Sequence, residues 1–231
     1  MTRALAVCLV TLGVISTSAA EGKAGPEGTP RQLVVRAYNP AHVDSAGIHT
    51  AGTVVRDTFR HAGILVSWLD CSREPLRATT ECDQPPGRME IVARILTSSG
   101  SSPFPAILGS SLFQNGIPTT QVTIWADRVD NLARSAGADA GTLLGRAIAH
   151  EIGHVLLSTT RHTSRGLMRA EWTDHELIRN EPLDWTFGSE ARLLRRGLAD
   201  REKLQADNAD VEQADHVKRV AATCRSRVDL Q

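Results

Sequence analysis

Two spacings of apolar residues run through the chain, one of period two and one near 3.6, and together they place the elements. LVVRAYN (33–39) is β-branched and apolar and ends at Asn39-Pro40, so it reads as a strand. Residues 45–62 set Ile48, Val54, Val55, Phe59 and Ala62 on one helical face, and Gly63 stops that helix. ILVSWLD (64–70) is a second strand. Strand, helix, strand in this order predicts parallel pairing with the helix crossing over one face. RMEIVARIL (88–96) is a third strand. ILGSSLFQNG (107–116), rich in glycine and serine, has the character of an edge strand or an exposed ledge. TQVTIWADRV (120–129) is a further strand, and residues 129–136 begin a helix broken at Gly137.

TLLGRAIAHEIGHVLL (142–157) carries the strongest helical pattern, with Thr142 placed to cap it. Leu143, Leu144, Ala147, Ile148, Ile152, Val155 and Leu156 form its core stripe, and His150 and His154 sit beside that stripe. After residue 188 the chain is polar and mixed in charge. Leu193, Leu194 and Leu198 there predict one more helix, then a solvated tail. The expected architecture is α+β: a mixed, mostly parallel twisted sheet of four to five strands, a crossover helix, the histidine-bearing helix, and a small helical C-terminal part. The domain is expected over 33–195 and the tail over 196–231.

Composition narrows the setting. The formal charge is zero, with no basic stripe, which argues against a nucleic-acid partner. Residues 1–20 read as a secretory signal peptide: Arg3, then the apolar run ALAVCLVTLGVI, then small residues up to a cut after Ala20. The run is too short for a comfortable membrane span, and no other segment approaches the required length, so no span is expected after its removal. EGKAGPEGTPRQ (21–32) is a flexible leader. Export implies an oxidising compartment, secreted or periplasmic. Cys71 and Cys82 flank a polar loop and are the expected disulfide, at about 2 to 3 kcal/mol of stabilisation; Cys224 is the alternative partner for either.

The chemistry lies in HEIGH, residues 150–154. On a helix, positions four apart lie roughly 5–6 Å from each other at Cβ. The two imidazoles can therefore share one ion at about 2.0–2.1 Å each. Glu151 points to the neighbouring face, beside the ion, where it can accept a proton from an activated water. The expected cofactor is zinc.

His150, Glu151 and His154 resemble the zincin metallopeptidases, and among them the metzincins, whose motif is H-E-x-x-H-x-x-G-x-x-H followed by a methionine turn. Here Leu157 stands at the glycine position and Thr160 at the third-histidine position; His162 follows two residues later, and Met168 lies within SRGLM. The resemblance covers about residues 33–175, firmly at HEIGH and loosely elsewhere. It implies a zincin-like fold, His162 as third ligand, and Met168 as the methionine turn. Ala170 stands where some metzincins carry a tyrosine, so no oxyanion donor is assigned.

Geometry constrains that third ligand. Were the helix to run on through 162, His162 would lie about 12 Å along the axis from His154. The helix must therefore end between 156 and 161, where Ser158, Thr159 and Thr160 are poor helix formers. Either a non-glycine residue takes the left-handed conformation there or the turn is wider. Glu171 is the rival, near the gluzincin spacing, with Asp174 and His175 close by. Trp172 and Trp185 read as core.

The function expected is hydrolysis of peptide bonds in a peptide or protein substrate, with Glu151 as general base. The alternatives are a zinc amidohydrolase on a non-peptide substrate and a non-catalytic zincin-like binding protein. An acid beside the ligands argues against the last, since a purely structural site has no use for it.

Overall fold

Five strands and six helices make up the described part of the chain, which in this computed structural model comprises residues 31–72, 80–98, 107–114 and 117–207. The expected signal peptide, most of the expected leader, Cys224 and the expected tail beyond 207 lie outside the described residues.

The strands are β1 (Arg31–Tyr38), β2 (Ile64–Asp70), β3 (Glu90–Leu96), β4 (Gly109–Gln114) and β5 (Ile117–Trp125). They form one sheet in the order β2-β1-β3-β5-β4. β1 pairs in parallel with β2 and β3, and β3 with β5, whereas β4 is antiparallel to β5. The sheet is thus mixed and mostly parallel, as expected, with the glycine- and serine-rich strand at its edge. α1 (Ser45–His61) is the crossover helix, started by the Asp44 carboxylate accepting from Gly47 N–H. It ends before Gly63, which takes the left-handed conformation.

Several boundaries differ from those expected, and three of the differences have a clear physical reason. β1 begins at Arg31, inside the expected leader, because Arg31 and Gln32 continue the parallel register opposite Ile64 and Leu65. β5 stops at Trp125, and α3 (Ala126–Ala136) follows at once. Ala126, Val129, Ala133 and Ala136 form a buried helical stripe there that outweighs the short alternation read as strand. α4 (Ala140–Leu157) starts two residues early, capped by Asp139 rather than Thr142: the Asp139 carboxylate accepts from Thr142 N–H at 2.7 Å.

Cys71 and Cys82 form the expected disulfide. It tethers the short α2 (Thr80–Asp83) beside the sheet, where Tyr38 donates to Cys82 O at 2.6 Å and buried Arg36 to Gln84 O at 2.6 Å. Arg36 also pairs with Glu90.

α4 packs on β4 and β5 and against α1, so its stripe closes the core over one face of the sheet. After it come α5 (Asp174–Arg179), two 3-10 turns (Pro182–Trp185 and Gly188–Glu190), and α6 over 191–207. α6 continues across the boundary set at 195/196. Its Leu194 and Leu198 are fully buried, while Leu193 faces out. At Gly197 the two helices meet backbone to backbone, and a Cβ there would lie 1.9 Å from Leu156 O.

Gly197→Ala therefore forces α6 off the end of α4. The overpacking costs about 1–3 kcal/mol, against a helix-propensity gain of about 1 kcal/mol at most. The expected result is a lower urea midpoint at unchanged slope. A native midpoint would show that α6 is not docked.

Candidate metal centre

The helix α4 ends in a way that decides where His162 goes. Ser158, not a glycine, takes the left-handed cap at φ 50° and ψ 43°, and its N–H donates to His154 O. Thr159 N–H reaches the same carbonyl at 3.2 Å. The chain leaves the helix axis at once and doubles back. Thr163 N–H donates to Met168 O at 2.8 Å, and Leu167 N–H to Thr186 O at 2.8 Å, which pins the returning loop.

That loop brings His162 to the two helical histidines. The ligand atoms of His150, His154 and His162 all lie within 4.8 Å of one another, the first two buried and the third exposed. Ring centroids are 4.7 Å apart for His150–His154, 5.3 Å for His150–His162 and 4.9 Å for His154–His162. Glu171 lies in the wall of the same cleft but outside this cluster, and Asp174 and His175 belong to α5.

The backbone sets the tautomers of the helical pair. His150 Nδ1 lies 2.8 Å from Leu167 O, and His154 Nδ1 lies 2.8 Å from Thr159 O. A carbonyl only accepts, so each Nδ1 carries the proton and each Nε2 keeps its lone pair. The two Nε2 atoms face each other at 3.0 Å. Burial lowers the His150 pKa to about 4 and lowers that of His154, which disfavours a second proton on either ring. Two lone pairs aimed at one point repel unless a cation sits between them. A tetrahedral ion with bonds of about 2.0–2.1 Å needs ligand nitrogens about 3.4 Å apart. The donor set therefore fits zinc with a slight opening of the helical pair and an adjustment of the exposed His162.

Met168 is buried against α4, its Sδ beside Gly153; a Cβ on Gly153 would lie 2.5 Å from that sulfur. The neighbouring Leu167 supplies the carbonyl to His150, so this turn both fills the space under α4 and orients a ring. Trp172, partly buried, stands edge-on to His150 at 5.8 Å and to buried Trp185 at 5.4 Å. Arg146 stacks on Trp185 at 3.7 Å. Trp185 is core as expected, whereas Trp172 is both core and cleft wall.

Glu151 is also buried, turned toward β4. Ser111 Oγ lies 2.6 Å from its Oε2 and 2.8 Å from its main-chain O. Burial raises the carboxyl pKa to about 7, with the Ser111 hydrogen bond acting in the opposite direction. A Cβ on Gly109 would lie 2.8 Å from Glu151 Cγ and 2.9 Å from Oε1, so only glycine lets strand and carboxylate approach this closely. The sequence reading singled out this strand but neither residue; its glycine and serines were the available signal.

A cleft of about 1170 Å³ opens over these groups. Besides the histidines and Glu151 it is lined by Gly109, Ser111, Phe113, Arg169, Glu171 and Trp172. No helix among the described residues is long and apolar enough to cross a membrane.

No family model matches the chain, and no curated protein matches it. Among solved structures it is similar to an archaemetzincin from Methanopyrus kandleri at 13% identity and TM-score 0.47, over 76% of this chain and 99% of that one.

Proposed function

We propose that this chain is a secreted or periplasmic zinc-dependent peptidase. The observation that carries it is the pair of imidazole Nε2 lone pairs facing each other beside His162, with a buried carboxylate one residue from His150. His150, His154 and His162 would hold the ion, three protein ligands being the number that leaves a zinc position open. Zinc bound there supplies a Lewis acid for a carbonyl oxygen and acidity for water.

The chain's own groups do the rest. Glu151 takes the proton of the attacking water and passes it to the leaving amine. The outer edge of β4 ends the sheet, so an extended peptide adds to it by main-chain hydrogen bonds. The cleft of about 1170 Å³ is lined by Gly109, Ser111 and Phe113 of this strand, so it offers room for such a segment. Export is supported by the reading of residues 1–20 and by the Cys71–Cys82 bond.

The test is zinc content per purified mature chain, beside cleavage of a mixed peptide library read by mass spectrometry. One zinc per chain and cleavage abolished by a zinc chelator is the expected result. Zinc with cleavage of non-peptide amides alone would move the reading to an amidohydrolase. A chain that takes up no zinc would end it.

A further inference from the structure

We propose that Ser111 is a positioning residue for Glu151, holding Oε2 against β4 so that Oε1 is the oxygen that meets the reacting water. The proposal deepens the peptidase reading and rests on it for the reaction, though not for the geometry.

Residues 109, 111 and 113 alternate onto the inward face of β4 while 110, 112 and 114 are exposed. The regular register with β5 holds from Gly109 to Ser111 and is interrupted between Ser111 and Phe113. Such an irregularity beside a site re-aims a side chain. Here Ser111 meets two acceptors, Glu151 Oε2 at 2.6 Å and Glu151 O at 2.8 Å. A hydroxyl has one proton to give. When the carboxylate is ionised its oxygen is a stronger acceptor than a main-chain carbonyl, so Oε2 takes it. That leaves Oε1 to accept from water. Gly109, one inward position away, lies close to Oε1, and a side chain there would cover that oxygen. The strand expected to align the substrate thus also holds the base, so a single element sets the distance between base and scissile bond. Misplacement by about 1 Å can cost on the order of a hundredfold in rate.

The experiment compares Ser111→Ala and Ser111→Thr with the native zinc-loaded chain. Ser111→Ala should keep its zinc and its KM and lose roughly tenfold to a hundredfold in kcat. Ser111→Thr, which keeps the hydroxyl and suits a strand, should restore most of it. Ser111→Ala added to Glu151→Gln should cost nothing further, because the serine acts through the carboxylate. A crystal structure of Ser111→Ala should show the Glu151 carboxylate displaced from β4; this readout stands even if the native chain cleaves no peptide, a result that would count against the peptidase reading alone. Native kcat in Ser111→Ala, equal losses in the alanine and threonine variants, or an unmoved Glu151 would each overturn the proposal.

Discussion

Glu151→Gln is expected to bind zinc as the native chain does and to hydrolyse peptide bonds roughly 10²- to 10⁴-fold more slowly. The change removes one property only. Glutamine has nearly the volume of glutamate, so the tight fit against Gly109 is kept. Its amide oxygen can still accept from Ser111. None of the groups that fix the imidazoles is touched, since these are the carbonyls of Leu167 and Thr159. What is lost is a group able to take a proton. The expected loss corresponds to about 3–5 kcal/mol in the barrier, larger than any effect expected from Ser111, which acts only by placement. Metal analysis beside kcat/KM measures both halves. Turnover within a fewfold of native, with zinc in place, would mean that another group activates the water. Loss of zinc together with activity would mean that Glu151 holds the site together rather than serving as base.

The sheet and the helix α4 were legible because their signals are local. Ile64–Asp70 was bounded correctly by β-branched residues and a flanking glycine, and the stripe from Leu143 to Leu156 marked the helix that bears the histidines. HEIGH was legible because an i, i+4 spacing fixes geometry without knowledge of the rest of the fold. The left-handed Ser158 was not, because a serine carries no mark of that conformation; only the need to bring His162 back made some such turn necessary. The carbonyls that orient His150 and His154 are invisible to any reading by residue type. Ser111 lies 40 residues from Glu151, and their contact depends on an edge-strand register that composition does not specify. α5 is a different case. Thr173 and Glu176 make a capping box, with Glu176 Oε2 accepting from Thr173 N–H at 2.9 Å, and the T-x-x-E spacing was there to be read. Its six residues carry too little apolar periodicity to have drawn notice.

His162→Ala is expected to weaken zinc binding by more than the about 10–100-fold that loss of an outer-shell partner costs, while Glu171→Ala leaves it within a fewfold. The turn at Ser158 gives the reason. The residue that ends α4 starts a reversal in which Thr159 uses its N–H on His154 O and its carbonyl on His154 Nδ1. The reversal therefore orients one ligand while delivering another three residues later. The spacing of seven residues between His154 and His162, two more than the metzincin pattern has, is taken up in that loop. Glu171 has no comparable support: it is exposed and precedes α5, lining the cleft without joining the three converging nitrogens. Competition against a chromophoric chelator gives both affinities on the zinc-loaded chains. Loss of zinc in Glu171→Ala with retention in His162→Ala would reverse the assignment, making the centre two histidines and a glutamate. The return of the chain at Ser158 would then have to serve Met168 and the Leu167 carbonyl alone.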